Sequence, residues 1–404
     1  MKFNSHLKIR FFIHFTEKLF EGLVIPFFVI YISGYINPTV VGLSLLLITI
    51  ISTVASLWGG YISDLKGRRK ITIYSELVKT VALFFISIAI FIHINFYIII
   101  LLYLVICTLN SVVSSVSEAF TLDVLKQDQA KDVYNILYWL TNLGRSVGTI
   151  SGVILYDMYG FNSLTFICGI FSLVSLFLVI SKLQETVLVK ADIQSTPNNF
   201  INQYKIIFKD KKLLYLLLAN TLHFGISIQL TYYIAMRLSI EFPMQKIIAV
   251  GTYVVAITGI QMFGILRLQT NFMVILLSPW VQRATKYINN WHIFIIFPIL
   301  ASICFAVMMV SNSAWILMLS MTFYTLSEMV YLPVLQSLLV YVAEKNSRAK
   351  YTSIKSLDFR LAMVIGSIFI MMSKFFPSYV LAYVIIIMGL MVTYFSLKLI
   401  QKIN

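Results

Sequence analysis

Residues Gly60–Lys70 read Gly-Tyr-Ile-Ser-Asp-Leu-Lys-Gly-Arg-Arg-Lys, and a long apolar run lies on each side of them. Each run is long enough to cross a bilayer core of about 30 Å, which takes about 20 residues of α-helix. The segment is therefore predicted to be a tight, charged loop between two membrane helices. Its basic cluster places this loop on the cytoplasmic side.

The remainder of the chain has the composition of a membrane protein. Of 404 residues, 59% are hydrophobic and 12% are charged, whereas a soluble domain carries about a quarter charged residues. The apolar runs are too continuous for barrel strands, which alternate over about ten residues. An all-α membrane protein with twelve transmembrane helices is predicted, at 11–33, 38–60, 71–93, 97–122, 134–156, 161–181, 213–236, 256–281, 291–311, 314–342, 353–372 and 378–397.

The distribution of basic residues predicts the orientation of the chain. The net charge is +15, and 23 of the 31 Lys and Arg residues fall in predicted cytoplasmic segments if both termini are cytoplasmic. The predicted outer loops hold only Arg237, Lys246 and Lys374. This asymmetry follows the positive-inside rule, so it explains the charge without nucleic acid and favours contact with membrane lipids.

No sequence feature predicts a metal, a cofactor or an enzymatic activity. The three cysteines, Cys107, Cys168 and Cys304, lie inside apolar runs without metal-ligand spacing. The chain contains no phosphate-binding loop of the Walker type, so ATP-driven transport is not expected.

An internal similarity predicts two related halves. Ser117-Glu118 and Ser327-Glu328 are each followed at the same spacing by Val-Leu, a charged loop and a helix with a midspan arginine, Arg145 or Arg360. The predicted organisation is a six-helix bundle at 1–183, a cytoplasmic linker at 184–211 and a second six-helix bundle at 212–404.

The loop at residues 60–70 resembles the loop between helices 2 and 3 of the major facilitator superfamily. The positions of that pattern are filled by Gly60, Asp64, Gly67, Arg68 and Arg69. The resemblance implies two pseudo-symmetric bundles that move around a central cavity, with this loop as a conformational latch. It also implies a secondary transporter that acts as a monomer in a bacterial cell membrane.

Two further motifs resemble the twelve-helix drug:proton antiporters of this superfamily. Gly144, Gly148 and Gly152 match their glycine-rich fifth helix, with Thr149 in place of the usual proline. The stretch 324–336 matches their tenth helix, whose cation-binding glutamate falls on Glu328, and Asp123 matches an acidic latch residue. Other acidic residues of the family are replaced here by Leu137 and Thr231, and the usual arginine of helix 4 by Asn110.

Four carboxylates within the predicted spans are candidates for proton coupling: Glu17, Glu21, Glu118 and Glu328. A charge near the bilayer centre costs about 2.5–3.5 kcal/mol, so it usually faces a cavity or a partner. Glu17 and Glu21 are one helical turn apart, and their repulsion favours a proton on one of them. For Glu17, the structural alternatives are an ion pair with Lys18 or snorkelling to the inner membrane surface.

Arg145 and Arg360 carry fixed charges near midspan. They either bind an anionic substrate in the cavity or neutralise Glu118 and Glu328, and the sequence leaves both alternatives open. His14 and His223 are predicted to have hydrogen-bonded packing roles. Glu76 and Lys79 are predicted to form a local ion pair.

The function predicted first is proton-coupled export of amphipathic drugs or related small molecules, driven by the proton gradient. The alternative is export of a specific anionic metabolite, such as a carboxylate metal chelator, bound by Arg145 and Arg360. A membrane sensor that does not transport is a third hypothesis, for which the chain offers no soluble signalling domain.

Overall fold

The computed structural model describes residues 5–124, 130–185, 210–250, 253–285, 287–342 and 357–403. These residues are nearly all helical. Among them, nine helices have the length and apolar composition to cross a membrane. The predicted total of twelve spans and the cytoplasmic placement of both termini remain predictions.

The helices of the first half are long and joined by short connections. Their bounds are α1 (Ser5–Leu23), α2 (Ile25–Ser33), α3 (Pro38–Lys66), α4 (Arg68–Phe91), α5 (Phe96–Val124), α6 (Ala130–Tyr159) and α7 (Phe161–Lys182). The interruption between α1 and α2 precedes Pro26, which lacks the N–H that a continuous helix requires.

The second half contains helices α8 (Lys211–Ser227), α9 (Tyr233–Glu241), α10 (Gly259–Thr285), α11 (Asn290–Val310), α12 (Ala314–Ser337), α13 (Leu339–Val342), α14 (Leu357–Met372) and α15 (Ser378–Ile403). A 3₁₀ turn at Ile228–Leu230 separates α8 from α9, within the predicted seventh span. The predicted linker, 184–211, falls mainly on residues outside the described ranges and remains a prediction.

A β-hairpin departs from the all-α prediction. Strands β1 (Gln245–Val250) and β2 (Tyr253–Ile257) pair antiparallel, with an irregularity between Lys246 and Ile248. The predicted eighth span at 256–281 is therefore wrong at its start, because its first residues belong to β2 and the helix begins at Gly259. β-Branched residues dominate the hairpin, and such residues favour strands.

The prediction that Arg237 lies in an outer loop is wrong, because the residue lies inside a helix. It is 2% exposed within α9, and its guanidinium donates to the carbonyls of Met309 and Ser311 and to Asn312 Oδ1. The last carbonyls of a helix have no partner within that helix and attract a cation. Arg237 therefore caps the C-terminus of α11, a role that the charge distribution does not reveal.

The described chain divides into two compact units, Met1–Ile36 with Ser44–Ile193, and Asn37–Leu43 with Gln194–Asn404. In the first unit, the three glycines of α6 lie against α1 and α2. A Cβ on Gly148 would stand 2.6 Å from the carbonyl oxygen of Leu19, and one on Gly144 would stand 3.0 Å from that of Phe15. The backbones of α1 and α6 thus approach as closely as the small-residue pattern predicts.

The second unit has its apolar core between α8, α11, α12 and α15. Fully buried members of this core include Leu216, Phe294, Tyr331 and Leu399. The core contains side chains of both α8 and α12, and polar side chains on the facing sides of these two helices reach each other.

Candidate functional site

Glu328 lies in α12 within a cluster of polar side chains from α8. The Ser227 hydroxyl donates to Glu328 Oε1 at 3.3 Å and also bonds the Tyr324 hydroxyl. His223 Nε2 lies 3.7 Å from the same carboxylate oxygen, which exceeds the usual hydrogen-bond range of about 2.7–3.2 Å. The cluster therefore joins one carboxylate, two hydroxyls and one imidazole.

The cluster follows from helical spacing on both elements. His223 and Ser227 are four residues apart on α8, and Tyr324 and Glu328 are four residues apart on α12, so each pair occupies one helix face. The side chain of Glu328 is 23% exposed. A carboxylate at this site can meet a solute while it keeps its contacts with α8.

Aromatic rings enclose the histidine side of the cluster. The ring centroids of His223 and Tyr331 are 5.1 Å apart, and the Tyr331 hydroxyl lies 3.1 Å from Ser396 Oγ. Phe224 packs edge-on against Phe359 of α14. Aromatic faces attract cations, so these surroundings suit an imidazolium at His223.

The break between α8 and α9 lies one turn beyond this cluster. Thr231 follows the 3₁₀ turn there, and its hydroxyl accepts a hydrogen bond from the guanidinium of Arg267. Interrupted membrane helices commonly mark solute sites because their free backbone groups face a cavity.

Glu328 forms no ion pair with Lys or Arg in the part of the chain that the structure describes. The sequence leaves open whether Arg360 neutralises it. Arg360 is half-buried in α14, and the charged group within ion-pair distance of Glu328 is instead His223. From the sequence, this histidine is expected to have only a packing role.

In the first unit, Glu21 is paired with two cations. Arg145 Nε and Nη2 donate to Glu21 Oε2 at 2.9 and 2.7 Å, and Lys18 Nζ donates to Oε1 at 2.5 Å. Arg145 thus faces Glu21, a partner that the sequence does not suggest for it. Its side chain is 44% exposed, so one side of the guanidinium remains open to a solute.

Glu17 lies one turn away in a different environment. It is 1% exposed, and its Oε1 atom has no hydrogen-bond partner among the residues that the structure describes. Glu76 and Lys79 form the predicted ion pair at 2.8 Å, and Ser172 donates to the second Glu76 oxygen at 2.9 Å. The side chain of Glu118 lies outside the described part of the chain.

The charged segment at 60–70 is not the tight loop that the sequence predicts, because it is helical up to Lys66 and again from Arg68. This segment contacts the end of α7. The backbone N–H groups of Arg68 and Arg69 donate to the two carboxylate oxygens of Glu185 at 2.9 and 3.1 Å. Arg69 Nη2 donates to the Ile180 carbonyl at 2.8 Å. Glu185 therefore caps the N-terminus of α4, where a negative charge is favourable.

Gly67 makes this cap possible. Its φ of 95° is accessible mainly to glycine, and a Cβ there would stand 2.6 Å from Glu185 Oε2. A Cβ on Gly60, in contrast, would have no atom of the described residues within 4 Å. The side chains of Asp64 and Asp123 lie outside the described part, so their latch role remains a prediction.

Glu185→Gln is expected to weaken this cap. A glutamine offers one carbonyl oxygen and no charge to two N–H donors, and loss of a helix cap typically costs about 1 kcal/mol. The melting temperature of the purified protein in detergent should fall measurably. Gln184→Glu, at the exposed neighbouring position, serves as the control, and an equal melting temperature for both variants would contradict the capping role.

Four residues of these sites are missed or given another role by sequence reasoning. The sequence does not predict that His223, Ser227 and Tyr324 contact Glu328 or its hydrogen-bond partners. It also does not predict that Glu185 contacts the charged segment at 60–70. The spacing of four between His223 and Ser227 is the available signal for the first group. For Glu185, the signal is an acidic residue at the cytoplasmic end of a span.

Comparison with known proteins agrees with this architecture. The sequence model of the Major Facilitator Superfamily matches residues 10–367. The Na(+), Li(+), K(+)/H(+) antiporter of Planococcus maritimus is 25% identical to this chain over 388 residues, covering 92% of this chain and 90% of that protein.

Solved structures share the fold over nearly the whole chain. A POT family transporter in complex with 5-aminolevulinic acid superposes with a TM-score of 0.75 at 15% identity, covering 97% of this chain and 96% of the other. The nucleoside transporter NupG superposes with a TM-score of 0.71 at 12% identity, covering 98% and 100%. From its sequence and its fold, the chain belongs to the major facilitator superfamily, as a transporter that crosses the cell membrane several times.

Proposed function

We propose that this transporter is a proton-coupled antiporter that exports cations in exchange for protons by alternating access. The observation that carries the proposal is Glu328, a partly accessible membrane carboxylate without a Lys or Arg ion pair among the described residues. Such a group can hold either a proton or a cation. Competition between the two for one carboxylate is sufficient to couple their opposite movements.

The surroundings of Glu328 favour an amphipathic organic cation as the exported substrate. Phe224 and Phe359 pack edge-on beside His223 and give this region partly exposed aromatic surface. Aromatic faces and one carboxylate are the groups that bind organic cations of varied shape. Multidrug efflux, as the resemblance of stretch 324–336 implies, is the form of this proposal that we favour.

Monovalent metal cations are a second candidate substrate class. This candidate rests on the Planococcus maritimus relative, which is named as a Na(+), Li(+), K(+)/H(+) antiporter. The match between the two sequences covers nearly the full length of both chains. The hydroxyls of Ser227 and Tyr324 beside Glu328 offer oxygen lone pairs to such a cation.

Export of an anionic metabolite has weaker support. It requires Arg145 and Arg360 as anion-binding groups, and Glu21 already occupies two N–H donors of the Arg145 guanidinium. The exposed side of Arg145 nevertheless makes anions worth including in the same assay.

Inside-out vesicles with an acidic interior test the proposal. A pH-sensitive dye should report proton release from vesicles that contain the protein when ethidium is added, and no release from vesicles that lack it. Addition of Na⁺, Li⁺ or K⁺ tests the second class, and a citrate-type chelator tests the anionic alternative. Proton release by none of the cations would refute cation antiport, and release by the chelator alone would establish the anionic function.

A further inference from the structure

Helix α8 carries a series of buried polar groups without partners. Asn220 is 0% exposed, and neither its Oδ1 nor its Nδ2 has a hydrogen-bond partner among the described residues. In that same part of the chain, Thr221 Oγ1 and His223 Nε2 are also buried without one. An unsatisfied buried polar group costs about 1–3 kcal/mol, so a run of them indicates that another molecule satisfies them.

The series leads to Glu328. Asn220, His223 and Ser227 are spaced by three and four residues, so they follow one another along one face of α8. Seven residues of helix span about 10 Å. Ser227 is hydrogen-bonded to Glu328, and His223 Nε2 is 3.7 Å from it. The polar face thus begins at the carboxylate and runs towards the Lys211 end of α8.

We propose that His223 is a proton-transfer residue that connects Glu328 to a file of water molecules along α8, held by Asn220. This inference rests on the proposed antiport and adds the route by which its proton leaves. Water has the chemistry to satisfy these groups, because a buried water molecule needs two to four polar partners, and Asn220 and His223 supply that number.

The transfer is a simple proton relay. A small approach of the two side chains closes the 3.7 Å gap between Glu328 Oε1 and His223 Nε2. The O–H bond of the protonated carboxyl breaks, an N–H bond forms on the imidazole, and the resulting imidazolium gives a proton to water. The Tyr331 ring, 5.1 Å from the histidine ring, stabilises the transient cation.

The neighbouring helices contribute few other charges to this route. Apart from tyrosines and Cys304, the ionisable residues of the described segments packed against α8 are Glu328 on α12, His292 on α11, Asp358 and Arg360 on α14, and Lys398 and Lys402 on α15. His292 is exposed near the start of its helix, and Lys402 lies over the Tyr215 ring near the Lys211 end of α8. Within ion-pair distance of His223, the described residues place only Glu328.

His223→Gln tests the relay in proteoliposomes of the full chain. Ethidium-driven proton release should slow at least about tenfold, since a positioned acid–base group typically contributes 10²–10⁴-fold. Exchange of ethidium for ethidium at equal pH requires no net proton transfer and should change by less than about twofold. Imidazole in the buffer should partly restore proton release in His223→Gly. His292→Gln is the matched control, and proton release by His223→Gln at the wild-type rate would overturn the proposal.

Deuterium exchange at the histidine ring carbon tests the water file without any substrate. Measured by mass spectrometry of peptides digested after the folded full chain has been labelled, exchange at His223 should be readily detected in the wild type and at least about threefold slower in Asn220→Leu, which removes water ligands. No detectable exchange at His223 would overturn the proposal even if transport were proton-coupled. If neither ethidium nor metal cations released protons, the antiport function would be refuted. The deuterium-exchange result would still show whether water reaches His223.

Discussion

Glu328→Gln is expected to abolish proton-driven export while the protein still folds. Glutamine keeps the size of the side chain and can accept the hydrogen bond from Ser227. It can neither hold an exchangeable proton nor carry the negative charge that binds a cation. Ethidium-driven proton release should therefore fall by at least about a hundredfold, in the range that loss of a positioned proton carrier produces.

The control for this variant is Glu241→Gln, at the end of α9. Glu241 is 53% exposed and lies 3.7 Å from Arg237, far along the chain from α12. It should transport at the wild-type rate. Wild-type proton release by Glu328→Gln, at equal amounts of folded protein, would remove Glu328 from the coupling path and with it the proposed mechanism.

Gly148→Leu is expected to prevent stable folding of the first unit. A Cβ on Gly148 would stand 2.6 Å from the Leu19 carbonyl oxygen and 2.9 Å from the Leu23 amide nitrogen, both of which are backbone atoms. Because neither atom can rotate away, α1 and α6 must separate. Overpacking typically costs 1–3 kcal/mol, and a full side chain against backbone should exceed about 3 kcal/mol.

The measurement is the yield of monodisperse protein in size-exclusion chromatography, together with its melting temperature. Gly60→Leu is the matched control, since no described atom lies within 4 Å of a Cβ at Gly60. It should yield protein close to the wild-type amount. A normal yield of Gly148→Leu would show that α1 and α6 are not held as closely as the structure has them.

Most of the helices can be predicted from the lengths of the hydrophobic runs. Inside a bilayer about 30 Å thick, a helix is the main structure in which a single segment forms all of its backbone hydrogen bonds. The hairpin at 245–257 is not predictable in this way. An apolar, β-branched run next to a helix has the same hydropathy whether it forms a strand or the first helical turns. Only pairing between β1 and β2 distinguishes the two.

The candidate site is predictable only in part. Glu328 is found from its depth in an apolar run and from the resemblance of its helix. Its neighbours His223 and Ser227 are about a hundred residues away in the chain, and Arg145 and Glu21 are separated by 124 residues. Which charged side chains contact one another depends on how the helices pack, and the spacing of residues in the sequence does not determine that packing.

The environment of Glu328 has an electrical consequence. Under the proposed exchange, this carboxylate carries either one proton or one monovalent cation, and the loaded site is neutral in both cases. Moving one elementary charge through 100 mV corresponds to about 2.3 kcal/mol, whereas a one-for-one exchange moves no net charge. The transporter would then draw on the pH difference alone, and export would continue in a cell whose membrane potential has collapsed.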